Sequence, residues 1–248
     1  MPNVPTDPYA NEAVATALAA ATIVPLRDGP DGLETVLLRR DTGLAFAGGL
    51  WVWPGGRIED LDGATGGDDP LASLEAAARV AAAREAMEEA SLALDPERFV
   101  WFAHFTPPMG VERRYATFFF ATEANHTDEI TPDGHEVHEH RWMTPAAALD
   151  DCRAGHIGLS PPTWIVLEWL AEHATTADAL AAFDAYPPQW CITRFATVDG
   201  GMVAMYEGDS GYRTDDPNLP GDRHRLWMLA DGWRYERSAH LHPGQTPT

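Results

Sequence analysis

The residues best suited to chemistry are three carboxylates at helical spacing. Glu85, Glu88 and Glu89 stand at i, i+3 and i+4 within the run R-E-A-M-E-E. On a helix they share one face, with Cβ atoms about 5–6 Å apart. Three adjacent like charges repel one another. A hard divalent cation with oxygen ligands, Mg²⁺ or Mn²⁺, relieves that repulsion. Arg84, four residues before Glu88, can pair with it and orient its carboxylate. Upstream, Pro54-Gly55-Gly56 follows a short strand. Its glycines let the backbone approach a ligand closely, so the Gly55 carbonyl is a further candidate ligand. An acidic helix face taken alone is more simply a solvated surface; the glycine turn before it shifts the balance toward a site.

A phosphate substrate also needs cationic contacts. Arg113 and Arg114 follow a Pro-Pro-Met-Gly turn, and Arg57 follows the Gly-Gly pair. Arginine suits bidentate phosphate binding, so these three are candidate substrate clamps, with surface ion pairs as the alternative. Trp51 and Trp53 alternate along a short strand. Trp53 is a candidate stacking surface for a base, against the plainer role of core packing. The run H-E-V-H-E-H (135–140) invites a zinc reading, but the fifth position is Glu139, so it is not H-E-x-x-H. In a strand His135 and Glu139 face one way, and Glu136, His138 and His140 the other.

These residues must be positioned by regular elements. Residues 73–92 read as a strong helix: Ala-rich, with Ser73 as N-cap and Leu74, Ala77, Val80, Ala83, Met87 and Ala90 as the apolar stripe. Residues 20–26, 34–40, 50–53, 99–106, 114–122 and 137–143 read as strands. Residues 145–155, 161–173 and 177–185 read as helices. Residues 60–72, polar and rich in Gly and Asp, read as a surface loop. The strand pairs are hairpin-like, so a mixed sheet is expected. Residues 12–186 are expected to form the main domain. Residues 187–248 are expected to form a small antiparallel β extension, a candidate cap for the site or dimer interface.

Composition limits the function classes. The chain has 248 residues and a formal charge of −21; all 17 basic side chains are arginine. An extended nucleic-acid or polybasic membrane surface is excluded on these numbers. Two cysteines, Cys152 and Cys191, make no disulfide framework and read as reduced thiols of a cytoplasmic protein. The apolar run 13–26 is shorter than a membrane span.

Gly56 followed by Arg84-Glu85-Ala86-Met87-Glu88-Glu89-Ala90-Ser91-Leu92 resembles the Nudix box, G-x5-E-x7-R-E-U-x-E-E-x-G-U, where U is a bulky apolar residue. The R-E-x-x-E-E part matches fully. There are departures. About thirteen extra residues separate Gly56 from the helix; Glu75 is the nearest match to the first Glu but is one residue out of place; Ala86 replaces a bulky apolar residue; Ser91 replaces glycine. The resemblance implies an α/β/α sandwich around a mixed sheet. It also implies Mg²⁺- or Mn²⁺-dependent hydrolysis of a nucleoside diphosphate linked to another group. Glu85, Glu88 and Glu89 become metal ligands, one glutamate a general base, and Glu136, or else Glu139, a further ligand or base.

Within the family, G-G-L-W-V-W-P-G-G-R, the long insertion, R-R-Y-A-T-F-F-F-A and P-P-T-W-x-x-L-x-x-L resemble the group that includes peroxisomal coenzyme A diphosphatases. Coenzyme A or an acyl-coenzyme A is therefore the expected substrate. ADP-ribose or a nucleotide sugar is the alternative, with Pro107 and Pro108 near a position where ADP-ribose hydrolases carry proline. A nucleotide-binding sensor without turnover is a further class.

Overall fold

The computed structural model describes residues 11–43, 48–63, 69–125, 130–131 and 137–241. Among these, a large mixed sheet is built around β1 (Leu18–Gly29). β1 turns into β2 (Gly32–Arg40) through a hairpin closed at Gly29 and Gly32, as the Asp-Gly signals there require. β3 (Leu50–Val52) pairs with β2, and β4 (Gly55–Arg57) lies antiparallel on β1. Beyond the site helix come β5 (Val100–Thr106), β6 (Tyr115–Glu123) and β7 (Val137–Met143). β6 runs parallel to β1 along its length, from Leu18 opposite Tyr115 to Leu26 opposite Glu123. β7 pairs with β2, and β8 (Gly158–Leu159) with β3.

Both faces of this sheet are covered, and for that reason β1 is apolar almost throughout instead of alternating. A four-residue helix, α1 (Glu12–Ala15), precedes it, and α2 (Pro70–Ala90) covers one face. There Ala21, Ile23, Val36, Leu38, Phe118 and Phe120 meet the alanines of α2. The other face, with Val24, Leu26, Leu37, Phe105 and Phe119, is covered by α3 (Pro145–Arg153), α4 (Pro161–Leu170) and α5 (Thr176–Asp184). The expected α/β/α layering is present. No helix among the described residues is long and apolar enough to cross a membrane.

The helix differs from its expected form in two ways. It begins at Pro70, and Asp69 is the N-cap, its Oδ1 accepting from the Leu71 and Ala72 amides. Ser73 donates its hydroxyl to the Asp69 carbonyl inside the first turn. Proline at the first helical position has its φ already set and lacks an amide that would go unsatisfied, so the helix starts a turn earlier. The buried stripe is also different. Ala77, Ala78, Ala81, Ala82, Ala86 and Ala90 are buried, whereas Val80 and Met87 are exposed. Small side chains bring the helix axis close to β1, a separation that larger side chains would not permit. At the helix end Ser91 takes the left-handed conformation at φ 56°, where the family pattern has glycine, and the Leu92 amide closes on the Ala86 carbonyl.

After α5 the chain adds β9 (Gln189–Ile192), which joins the large sheet parallel to β5 and covers its edge. β10 (Arg194–Val198), β11 (Gly201–Met205), β12 (His224–Leu229) and β13 (Gly232–Arg237) then form a four-stranded antiparallel sheet. Ala204, Tyr206 and Leu226 of that region share the core beneath α4. The segment expected as an appendage therefore contributes one strand to the main sheet and a wall to its core. The Asp209 carboxylate ties the β11–β12 connection down, accepting from the amides of Gly211 and His224 and from the buried Arg225 guanidinium.

Candidate active site

The site is assembled where α2 crosses β4. Gly56 faces the helix so closely that an added Cβ would lie 2.3 Å from Glu85 Oε1. The second glycine of the pair thus makes room for a carboxylate. Gly55 faces the other way, and a Cβ there would lie 2.5 Å from the Ala21 carbonyl oxygen. Its amide donates to Glu89 Oε2 at 3.0 Å. Glu89 is nearly buried and receives a second bond from Arg40 Nη1 at 3.3 Å.

Arg84 organises the exposed side of the same face. Its Nη1 donates to Glu85 Oε1 at 2.8 Å and to Glu88 Oε2 at 3.2 Å. Its Nε and Nη2 each donate to Asp62 at 3.1 Å, and Nη2 also reaches the Arg57 carbonyl. The Asp62 bonds, followed by the Glu85 carboxylate, hold the guanidinium well above its ordinary pKa. Burial pushes the Asp62 carboxyl up, but the Arg84 bonds and the Glu59 amide outweigh it and leave it below the usual carboxylate range.

Asp62 was not among the residues singled out by sequence. It lies in the segment expected to be a surface loop, yet its side chain is fully buried in a 3₁₀ turn over Asp60–Asp62. The signal for it was present. Asp62 is the sixth residue after Gly56, the place of the pattern's first acid, with Asp instead of Glu. Arg84 follows 22 residues later, so the extra length falls between the acid and the arginine. Glu75 does not take that place. It pairs with Arg79, whose guanidinium also caps the Pro96 and Phe99 carbonyls. Arg40 is the second missed contributor; nothing in its local sequence marks it, because it arrives from β2 through the tertiary fold.

The remaining expected residues separate. Arg114 is not a phosphate clamp: it is buried and its guanidinium is spent on Thr16 Oγ1 and on the Ala13 and Pro107 carbonyls. Trp53 is not a stacking platform. It is 3% exposed, its Nε1 donates to Thr35 Oγ1 at 2.8 Å, and its ring meets Phe119 edge-on. Trp51 is likewise buried. Arg57 and Arg113 remain exposed. Because Gly56 faces α2, Arg57 points to the opposite face of β4.

Glu136 and His135 lie outside the described residues. Glu139 pairs with Arg39 on the surface. His138 Nε2 sits 2.7 Å from Asp41 Oδ2. Among the described residues no three His, Cys, Asp or Glu side chains converge as a metal centre. The donors on the α2 face are nonetheless all hard oxygens, the chemistry that suits Mg²⁺ or Mn²⁺, and here arginines balance their charge.

The family model described as NUDIX domain matches residues 17–161. The acyl-coenzyme A diphosphatase NUDT19 of Xenopus laevis is 29% identical over 129 residues, covering 50% of this chain and 34% of that protein. The protein of the same name from Homo sapiens is 30% identical over 128 residues, covering 48% and 33%. The chain thus spans about a third of the length of these curated relatives. The crystal structure of a NUDIX hydrolase from Alicyclobacillus acidocaldarius superposes with a TM-score of 0.60 at 21% identity, covering 69% of this chain and 98% of that one. With the matched region spanning more than half its length and the R-E-x-x-E-E face built as described, the chain belongs to the Nudix family.

Proposed function

We propose that this protein is a divalent-metal-dependent hydrolase that cleaves the diphosphate linkage of coenzyme A or an acyl-coenzyme A. The observation that supports the chemistry is the α2 face on which Glu85 lies against Gly56, Glu89 accepts from the Gly55 amide, and Arg84 bonds both Glu85 and Glu88. The partial likeness to acyl-coenzyme A diphosphatases supports the substrate class.

In this reading Glu85, Glu88, Glu89 and the Gly55 carbonyl hold Mg²⁺ or Mn²⁺. When bound, the ion neutralises diphosphate oxygens and lowers the pKa of water so that it attacks phosphorus at neutral pH. The protein's own groups do the rest. Arg84, fixed by Asp62, keeps Glu85 and Glu88 in one orientation. The buried bonds to Arg40 and Gly55 hold Glu89 in a single rotamer. A glutamate of this set, or Glu136, takes the proton of the attacking water. Arg57 and Arg113 contact phosphate oxygens of the substrate. Water attack then releases two phosphorylated products. The two free thiols, Cys152 and Cys191, fit a reducing compartment such as the cytoplasm.

The test is hydrolysis with and without Mg²⁺ of coenzyme A, its acyl esters, ADP-ribose, NADH and nucleotide sugars. Metal-dependent cleavage of coenzyme A or its esters is expected. Tight binding of a panel member with no turnover would replace the enzyme by a nucleotide sensor.

A further inference from the structure

The end of β2 delivers an arginine to the carboxylate face of α2. Val36 and Leu38 pack beneath that helix, and Arg40 continues the same alternating row of the strand. The pairing irregularity at Arg40 skips His138 of β7, so the alternation along β2 is kept. The Arg40 side chain is 16% exposed, and its Nη1 donates to Glu89 Oε1 at 3.3 Å. The other Glu89 oxygen accepts from the Gly55 amide. Each oxygen of Glu89 is therefore engaged by a protein donor, and one of those donors carries a full positive charge.

Arg84 and Arg40 approach the face differently. Arg84 is anchored by the buried Asp62 and by the Arg57 carbonyl, and none of its bonds to Asp62, Glu85 and Glu88 exceeds 3.2 Å. The Arg40 contact is longer, and it falls on a carboxylate that the proposed function gives to a cation. A guanidinium on one oxygen of a carboxylate opposes a divalent cation on the same group, because like charges a few ångströms apart repel even at an effective dielectric of about 20. A diphosphate brought to this face offers the guanidinium a second anionic partner, and arginine suits phosphate oxygens bidentately.

We propose that Arg40 couples cation binding to substrate binding. Without substrate its guanidinium neutralises Glu89 and opposes the cation there. With a diphosphate on the face, the guanidinium turns to a phosphate oxygen and leaves Glu89 to the cation. The coupling is reciprocal, so the cation strengthens substrate binding by the same factor. This rests on the metal-dependent reading given above and adds the residue that makes cation and substrate bind together.

The experiment measures Mn²⁺ affinity by calorimetry without substrate in the wild type, Arg40→Gln and Arg40→Lys. It also measures kcat and KM at saturating Mn²⁺ for whichever member of the hydrolysis panel is cleaved. Arg40→Gln keeps a donor for Glu89 and loses the charge; Arg40→Lys keeps the charge and loses the planar fork. Arg40→Gln is expected to bind Mn²⁺ about tenfold tighter than the wild type and to raise KM about tenfold, with a smaller change in kcat. Arg40→Lys is expected to keep the wild-type Mn²⁺ affinity while KM rises. If Arg40 only braced Glu89, its loss would weaken Mn²⁺ binding instead. Unchanged or weaker Mn²⁺ binding by Arg40→Gln, or an unchanged KM in both variants, overturns the proposal and leaves the proposed function standing. If thermal melting shows Arg40→Gln unfolded, Arg40→Lys decides alone: anything but wild-type Mn²⁺ affinity with a raised KM overturns the proposal. A wild type that binds no Mn²⁺, or cleaves no member of the panel, overturns both.

Discussion

Arg84 grips Asp62 through two of its nitrogens, each at 3.1 Å, while the same guanidinium reaches Glu85 and Glu88. One end of the contact is fully buried and the other faces the site. The carboxylate face is thereby anchored to a 3₁₀ turn within the segment that the sequence predicts as a surface loop. Asp62→Ala would leave a partly buried guanidinium without its main anchor, at a cost of about 2 kcal/mol in stability. Turnover is expected to fall at least tenfold, since Glu85 and Glu88 lose their fixed partner. Chemical denaturation and steady-state kinetics together check this. Asp62→Glu is expected to restore part of both.

Glu88 and Glu89 are neighbours with different burial, 59% against 6% side-chain exposure. Glu88→Gln is expected to lower turnover by two orders of magnitude or more with a melting temperature unchanged, because an exposed carboxylate that the proposed function assigns to the cation is lost. Glu89→Gln should lower both. It replaces a buried charge facing Arg40, so a loss of about 2–3 kcal/mol accompanies the loss of activity. Equal stability of the two variants would contradict the structural assignment of Glu89.

The paired glycines should also respond differently. At position 56 an added methyl meets the movable end of Glu85, so Gly56→Ala is expected to fold with little loss of stability while Glu85 is displaced and activity falls. At position 55 the methyl meets the Ala21 carbonyl and the Thr22 backbone, which cannot give way. Gly55→Ala should therefore unfold at clearly lower denaturant concentration. Measuring melting and turnover for the two variants side by side separates the roles.

Two buried histidines predict acid sensitivity. Burial pushes the His224 pKa down to about 4 and the His104 pKa down to about 3. His224 donates Nδ1–H to the Glu207 carbonyl, which places the proton on Nδ1, while burial, against that bond, keeps the ring neutral. His104 lies stacked on Trp190 at 4.2 Å. Between pH 6.5 and 4 the unfolded chain binds protons at these positions and the native chain does not. The stability these groups contribute is therefore full above about pH 6.5 and is lost as pH falls toward the folded values. Each contributes a slope of about 1.4 kcal/mol per pH unit. His224→Asn keeps a donor for Glu207 without the titration. Denaturation midpoints measured across this range should show a shallower slope for the variant, and an identical slope would refute the assignment.

The sequence alone determined the local matters. R-E-x-x-E-E at helical spacing must put its carboxylates on one face, and Asp-Gly turns between apolar runs must make hairpins, because both follow from backbone geometry over a few residues. The family and the layered fold were legible from those same residues. Tertiary structure decided what depends on distant neighbours. Arg114 and Trp53 carry side chains suited to a ligand, but the core and the chain's own carbonyls use them first. Asp62 carries a side chain suited to solvent, but Arg84 draws it inside. The buried stripe of α2 runs through alanines and leaves out Val80 and Met87, because the separation between helix and sheet is set by the smallest residues at the contact. Residue type limits what a side chain can do; which of those things it does is set by the partners that folding brings within hydrogen-bond distance.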